Sequence, residues 1–194
     1  ANSLGRALPR LFGDIVLFPR LLRDEKALWI GAWLFHLSLV MIAVSHYKVF
    51  FSYIWLWEGL GVSPATFQLA SNIFDGATGG VMAASLLFLL GRRFPKFLRK
   101  LSDPEDYLVL MLLLAISVSG IYLRFIESLN LLELRRYFQS LVEFSPPNIP
   151  SDPVFLAHYI LVLILMIYFP LGKLVHTIGA GLTARLIRLG SKYD

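Results

Sequence analysis

Four long stretches of this sequence contain almost no charged residue. They cover residues 27–47, 64–91, 107–123 and 153–172, and Asp75 is the only charged side chain within them. A helix needs about 20 apolar residues to cross the hydrocarbon core of a bilayer. The stretches therefore predict one all-α membrane domain over residues 1–194, with four transmembrane helices in a bundle at about 27–47, 66–92, 107–126 and 153–178. A content of 57% hydrophobic and 16% charged residues excludes an ordinary soluble domain.

The distribution of lysine and arginine predicts the orientation of the bundle. Fourteen of the 18 basic residues lie before the first span, between the second and third spans, or at and after the end of the last span. Basic segments stay on the cytoplasmic side. We therefore expect both termini and the connection of residues 92–106 on the cytoplasmic face of a prokaryotic cytoplasmic (inner) membrane. The basic connection then either faces anionic lipid or docks a cytoplasmic partner.

Two segments on the opposite side predict short interfacial structure. Residues 50–60 are rich in tryptophan and tyrosine, which settle at the level of the lipid headgroups. Residues 130–144 place Leu131, Leu134, Phe138 and Leu141 on one stripe, with polar residues elsewhere. This pattern predicts an amphipathic helix that lies on the outer surface.

Histidine is the residue type that points to function. The chain has four, His36, His46, His158 and His176, and each lies in or near the edge of the first or last predicted span. Ionisable residues in membrane spans are costly and usually face the bundle interior, so each is a candidate ligand. The chain has no cysteine, which excludes thiolate-bound iron–sulfur clusters, zinc–thiolate sites and haem attached through cysteine.

The directions of the two helices predict how the histidines pair. The first span runs outward and the last runs inward, so His46 faces His158 near the outer side and His36 faces His176 towards the inner side. Two imidazoles from facing helices, without Asp, Glu or Cys at the same depth, are the axial ligands of a b-type haem. Zinc or di-iron sites require further ligands. The sequence therefore predicts two haem b groups between the first and last spans, with these histidines bound to iron.

Cations and glycines near the predicted haems extend the site. The candidate partners of the haem propionates are Arg124 and Lys48 on the outer side and Lys173, Arg92 and Arg93 on the inner side. The alternative for these cations is snorkelling to lipid phosphate. Four glycines, Gly31, Gly79, Gly80 and Gly120, lie inside the spans. There a missing side chain admits either a porphyrin edge or a close approach of two helices.

Sequence runs that contain these histidines resemble a known family. LFHLSLVMIAVSHYKVF carries the first pair and LAHYILVLILMIYFPLGKLVHTIGA carries the second. Together with DYLVLMLLLAISVSGIYLRF and GRRFPKF, they resemble the gamma subunit of respiratory nitrate reductase over about residues 21–180. Within that family, GIYLRF and LVEFSP look most similar to the DsrM-type subunit of the sulfite-reduction-associated membrane complex. Haem subunits of heterodisulfide reductases and similar menaquinone complexes also resemble it.

The resemblance implies a dihaem cytochrome b that is the electron-transfer subunit of a respiratory oxidoreductase complex. Electrons would pass between menaquinone or menaquinol at the outer face and a cytoplasmic iron–sulfur partner, either heterodisulfide reductase-like or associated with a molybdoenzyme. A periplasmic cytochrome c is a further candidate partner. The resemblance implies the same two histidine pairs. Members of the family have at least one more span before the first histidine helix, which predicts that this chain lacks that helix.

The outer side is where we expect the quinone site. Menaquinol would bind beside the outer haem, among Tyr47, Asn72, Asp75 and the surface helix around Phe138. Asp75 is the candidate acceptor of the released proton; the alternative is an acid near a helix start that binds backbone N–H groups. Two other functions stay open: a proton or solute transporter whose histidines relay protons, and a membrane anchor with no redox role.

Overall fold

The structure, a computed structural model, describes residues 17–50, 59–95, 102–126, 131–145 and 149–172. These residues form helices and no strand. The helices are α1 (Pro19–Asp24), α2 (Lys26–Phe50), α3 (Pro64–Gly91), α4 (Pro104–Phe125), α5 (Leu131–Val142) and α6 (Pro153–Tyr168). The all-α prediction is confirmed for the part of the chain that the structure describes.

Three of these helices are long and apolar enough to cross a membrane. The crossing segments are Lys26–Tyr47 in α2, Ala65–Gly91 in α3 and Pro104–Phe125 in α4. They coincide with the first three predicted spans, so the chain is a membrane protein. The surface helix predicted over residues 130–144 is present as α5.

The fourth predicted span is described only in part. Helix α6 has 16 residues and is therefore about 24 Å long, shorter than a hydrocarbon core of about 30 Å. The helix ends at Tyr168 because Pro170 has no N–H to donate to the carbonyl one turn earlier, and Leu171 and Gly172 both donate to the Tyr168 carbonyl in a turn. Residues 173–178 lie outside the described ranges. A fourth crossing stays a prediction.

The starts of three helices follow one local rule. Each begins with a polar residue followed by proline: Ser63 and Pro64, Asp103 and Pro104, and Asp152 and Pro153. The Ser63 hydroxyl accepts from the Thr66 N–H at 3.2 Å, and the Asp152 carboxylate accepts from the Phe155 N–H at 2.5 Å. A capping oxygen satisfies a backbone donor that the first turn leaves open, and proline suits the first helical position because it lacks that donor.

The packed centre of the bundle is small. Met82, Leu86 and Leu113 are buried, and the partly buried side chains around them are Phe35, Leu39, Ile42, Val109, Leu110, Leu114 and Leu165. This cluster joins α2, α3, α4 and α6. Many other large apolar side chains of the spans are exposed, such as Val44 and Met111. Lipid tails are as apolar as these side chains, so a helix surface of this kind suits a bilayer.

Neighbouring helices run antiparallel, which gives the bundle two distinct ends. We call the end where α2 and α4 finish and α3 and α6 begin the His46 end, and the opposite end the Arg92 end. Close packing of α2 on α3 depends on Gly31, because a Cβ there would lie 2.5 Å from the Cδ1 atom of Phe88. Gly31 therefore serves helix approach in this structure.

Candidate cofactor-binding site

Two histidine rings from different helices face each other at the His46 end. The ring centroids of His46 on α2 and His158 on α6 lie 6.4 Å apart, and the ring planes differ by 13°. Antiparallel packing brings the two residues to one level, since His46 lies near the end of α2 and His158 near the start of α6. The structure thus brings this predicted pair together.

Hydrogen bonds orient both rings through the same nitrogen. His46 Nδ1 lies 2.7 Å from the Ile42 carbonyl oxygen, and His158 Nδ1 lies 2.9 Å from the Ser119 hydroxyl oxygen. We assign the Ser119 hydrogen to backbone carbonyls of its own helix, at 2.8 and 3.0 Å, which makes its oxygen the acceptor of the Nδ1–H of His158. Each ring then keeps Nε2 as the nitrogen with a lone pair for a ligand.

The spacing of the rings suits a metal-centred group between them. An imidazole nitrogen lies about 2 Å from the metal it binds, so two imidazoles on opposite sides of one ion have ring centres roughly 6 Å apart. Among the described residues, no group of three or more His, Asp or Glu side chains could hold a metal ion. A pair of imidazoles is the donor set of a haem that brings its own four equatorial nitrogens.

A glycine gives the second ring its space. A Cβ atom on Gly120 would lie 3.2 Å from Cε1 of His158. That distance is tighter than ordinary van der Waals contact. The absence of a side chain at Gly120 therefore lets α4 approach the ring while Ser119, the preceding residue, reaches its Nδ1 atom.

Of the second predicted pair, His36 and His176, the structure describes only His36, on α2. His36 Nδ1 lies 2.7 Å from the Ala32 carbonyl oxygen, and the ring packs against Phe18 and Phe35 with centroids 5.2 and 5.0 Å away. As at His46, this leaves Nε2 for a ligand. His176 and Lys173 lie outside the described residues, so the His36–His176 pair and the inner propionate partner stay predictions.

Asp75 and Arg124 form an ion pair with each other beside the first histidine pair. Their nearest atoms lie 2.9 Å apart, and the side chains are only 18% and 22% exposed. Ser45, the residue before His46, donates to the Asp75 carboxylate at 2.5 Å, and Arg124 donates to Ser71 at 3.1 Å. The alternative in which Asp75 caps a helix start is wrong, because α3 begins at Pro64, about three turns earlier. Asp75 instead connects α2, α3 and α4.

One buried N–H group of this cluster requires a further hydrogen-bond acceptor. Arg124 Nε is buried and has no hydrogen-bond partner within the part of the chain that the structure describes. A buried N–H without a partner is costly, so a further acceptor is expected there. A carboxylate such as a haem propionate would supply one. Arg124 lies one turn after Gly120 on α4, which puts it beyond the His158 ring towards the same end of the bundle.

A cavity of about 590 Å³ opens next to the histidine pair, between the end of α2 and α5. It is lined by Tyr47, Phe50, Gln139, Val142 and Glu143. Sequence reasoning included Tyr47 but missed Gln139 and Glu143. Their spacing of four residues, which places them on one helix face, was the available signal.

Aromatic contacts hold α5 against the bundle. The ring centroid of Phe138 lies 5.4 Å from that of Phe50 and 5.8 Å from that of Tyr159. Burial raises the pKa of the Tyr137 phenol, and Tyr159 acts in the same direction, so the Tyr137 hydroxyl stays protonated at neutral pH. Of the other predicted quinone-site residues, Asn72 accepts a hydrogen bond from Gln68 at 2.9 Å and does not line this cavity.

The Arg92 end carries charged contacts of another kind. The Arg93 side chain forms an ion pair with Asp106 at 3.0 Å. The Tyr107 hydroxyl donates a hydrogen bond to the backbone carbonyl of Arg93 at 2.9 Å. Two further contacts are the ion pair of Arg92 with Glu25 and the hydrogen bond from Tyr168 to Glu105. A cavity of about 140 Å³ lies among these groups, with Arg93, Glu105 and Tyr168 in its wall.

Comparison with known proteins supplies the family. The family model described as nitrate reductase gamma subunit matches residues 20–186. The chain belongs to this family. The resemblance seen in the sequence is thereby confirmed, and the matched region contains all four histidines.

Relatives of the nitrate reductase gamma family differ in the complexes after which they are named. The chain is 31% identical over 172 residues to the Hdr-like menaquinol oxidoreductase cytochrome b-like subunit of Archaeoglobus fulgidus, covering 81% of the chain and 49% of that protein. The protein of the same name from Archaeoglobus profundus is 32% identical over 174 residues, covering 80% and 48%. The nitrate reductase gamma chain of Bacillus subtilis is 29% identical over 165 residues, covering 80% and 74%. The chain spans about half the length of the two archaeal relatives.

Proposed function

We propose that this chain is a dihaem cytochrome b subunit that carries electrons across the membrane in a respiratory complex. It would exchange electrons with menaquinone or menaquinol at the His46 end, which we place outside, and with an iron–sulfur partner on the cytoplasmic side. The observation that carries the proposal is the facing pair of His46 and His158 rings, 6.4 Å apart, in a member of the nitrate reductase gamma subunit family.

His46 and His158 would hold the outer haem through their Nε2 atoms. The Ile42 carbonyl and the Ser119 hydroxyl fix the two tautomers, and a hydrogen bond on the far side of a ligating imidazole raises its basicity. Arg124 would bind a propionate through its buried Nε. When bound, the haem supplies one-electron chemistry at iron; the chain supplies ligands, depth and local charge.

His36 and His176 would hold the inner haem, with Lys173 as a propionate partner. The His36 imidazole is already oriented by the Ala32 carbonyl, and Phe18 and Phe35 pack beside it. This part of the proposal also requires the fourth span, with α6 continuing towards the cytoplasmic side beyond the described residues.

The quinone would bind beside the outer haem. The names of the archaeal relatives include menaquinol oxidoreductase, and the cavity next to His46 has room for a ring, since small-molecule pockets are about 300–1,000 Å³. Asp75 stays the candidate acceptor of the released proton. Its carboxylate is bonded to Arg124 and Ser45, so it also joins three helices beside the proposed haem site.

The soluble partner would dock at the cytoplasmic face. The segment before the first span, the connection of residues 92–106 and the residues at and after the end of the last span together carry 14 of the 18 basic residues, and basic segments stay inside. A periplasmic cytochrome c would meet the opposite face. This proposal includes both partners. It also includes the location in a prokaryotic cytoplasmic membrane, with both termini of this chain on the cytoplasmic side.

A reduced-minus-oxidised absorption spectrum of the purified chain tests the proposal. We expect two b-type haems per chain, because four histidines offer two bis-imidazole sites. A proton or solute transporter, and a membrane anchor, would both give a spectrum without a haem Soret band. A purified, folded chain that binds no haem would overturn the proposal.

A further inference from the structure

The cavity at the His46 end has the composition of a binding site for a flat ring with polar edges. Phe50 and Val142 supply apolar surface, and Tyr47, Gln139 and Glu143 carry groups that form hydrogen bonds. Small-molecule sites combine mostly apolar walls with a few placed polar groups. The lining therefore suits a ring that carries oxygen atoms.

The cavity is tied structurally to the histidine pair. Tyr47 directly follows His46 in α2, and α5 is held against α2 and α6 by the contacts of Phe138 with Phe50 and Tyr159. A molecule in the cavity would thus lie at a fixed place beside the His46 ring. This position suits a redox partner of a group bound between His46 and His158.

Glu143 is the carboxylate of this cavity. The ion pairs among the described side chains join Arg92 to Glu25, Arg93 to Asp106 and Arg124 to Asp75, and none includes Glu143. Two other described acids lie near this end: Asp75 is bonded to Arg124 and Ser45, and Asp152 accepts the Phe155 N–H at the start of α6. Glu143 is therefore the described acid at this end that can face a ligand in the cavity.

A carboxylate distinguishes the two redox forms of a quinone by hydrogen bonding. An ionised carboxylate only accepts hydrogen bonds. A hydroquinone presents hydroxyl groups that donate, whereas a quinone presents carbonyl oxygens that only accept. A site with a carboxylate at one edge of the ring thus binds the reduced form more tightly, because the carboxylate and a carbonyl oxygen would leave each other unsatisfied.

We infer that the cavity lined by Tyr47, Phe50, Gln139, Val142 and Glu143 binds a hydroquinone ring, and that Glu143 makes the site select the reduced form. This inference rests on the proposed function and adds to it the residue that determines specificity. Tyr47 and Gln139 are the other polar residues of the lining, and Val142 is an exposed apolar residue of it.

The test is equilibrium binding of two probes to the purified full chain in lipid nanodiscs without oxygen. The probes are menadiol, titrated into chain reduced with dithionite, and menadione, titrated into oxidised chain, so that neither exchanges electrons with the protein. The wild-type chain should bind menadiol more tightly. Glu143→Gln should weaken menadiol binding about tenfold, as for a lost hydrogen bond to a charged group, and should not weaken menadione binding, because the new amide can donate.

A filling variant and its neighbour separate the cavity from the surrounding surface. Val142→Trp should weaken binding of both probes at least tenfold. Phe144→Trp is the matched control, because Phe144 is 94% exposed and lies outside the cavity lining; it should bind both probes as wild type does. An unchanged haem spectrum in each variant shows that the bundle is folded.

Three outcomes would overturn the inference. In the first, both Glu143→Gln and Val142→Trp bind menadiol as tightly as the wild-type chain does. In the second, Glu143→Gln weakens the binding of menadiol and of menadione equally. In the third, Val142→Trp releases bound phospholipid while its affinity for menadiol stays unchanged. If the haems are present, each of these results leaves the proposed electron-transfer function standing. If the wild-type chain binds no haem, the proposed function itself is wrong, independently of the results with menadiol and menadione.

Discussion

The His46 end and the Arg92 end of the bundle both carry polar groups, but they use them differently. At the His46 end, the partly buried His158 imidazole, hydroxyls and one ion pair lie between helices, and Asp75 is 18% exposed, while His46 itself is exposed. At the Arg92 end the pairs lie nearer the rim, and Glu25 is 50% exposed. Polar groups inside an apolar bundle cost free energy unless they are fully bonded. Their presence between helices at the His46 end indicates a site, and the contacts at the Arg92 end indicate ordinary fixing of helix ends.

Removing a ring of the facing pair should have the largest effect. His158→Ala leaves His46 without its opposite ligand, so we expect loss of the outer haem and about half of the haem content. Haem per chain and the reduced-minus-oxidised spectrum measure this. Tyr159→Phe is the neighbouring control and should keep both haems. A His158→Ala chain with two haems would show that the pair does not bind a common group.

Breaking the ion pair of Asp75 and Arg124 should have the second largest effect. Arg124→Ala leaves the largely buried Asp75 carboxylate without its partner, which should lower the free energy of unfolding by about 3 kcal/mol. Thermal and denaturant unfolding in detergent measure the loss. The double variant Asp75→Asn with Arg124→Gln should recover most of it, because no uncompensated charge remains. Equal stability of Arg124→Ala and wild type would contradict a structural role for the pair.

The hydrogen bond behind His158 should have a smaller effect. Ser119→Ala removes the acceptor of the Nδ1–H, and loss of such a partner typically costs about 10–100-fold in metal affinity. We expect the outer haem to dissociate at least about tenfold more readily and its midpoint potential to move. Ser119→Thr keeps a hydroxyl and should behave like wild type. If alanine and threonine behave alike, the hydroxyl does not orient the ring.

The exposed pair at the Arg92 end should matter least. Glu25→Gln removes the charge that pairs with Arg92, and with Glu25 half exposed the change in the free energy of unfolding should stay below about 1 kcal/mol. It should shrink further in high salt, because mobile ions screen exposed charges. A loss as large as that of Arg124→Ala would remove the distinction drawn between the two ends.

Much of the fold follows from local sequence chemistry. Uncharged runs fixed the three described spans to within a few residues, since a bilayer demands about 20 apolar residues. The polar caps before Pro64, Pro104 and Pro153 mark the helix starts more sharply than the uncharged runs, which placed the first two at about 66 and 107. The helix of residues 131–142 followed from one stripe of apolar side chains. The levels of His46 and His158 followed from the alternating direction of the spans.

The partners of side chains were decided by packing between helices. Asp75 and Arg124 are 49 residues apart in the sequence, and only the joint rotation of α2, α3 and α4 about their axes aims them at each other and at Ser45. The cavity likewise depends on how α5 lies against α2. Hydropathy fixes how deep a residue sits in a membrane, but it carries little information on which neighbour the residue faces. The sequence by itself therefore determined three spans and the common level of His46 and His158, and the tertiary structure decided which polar groups meet.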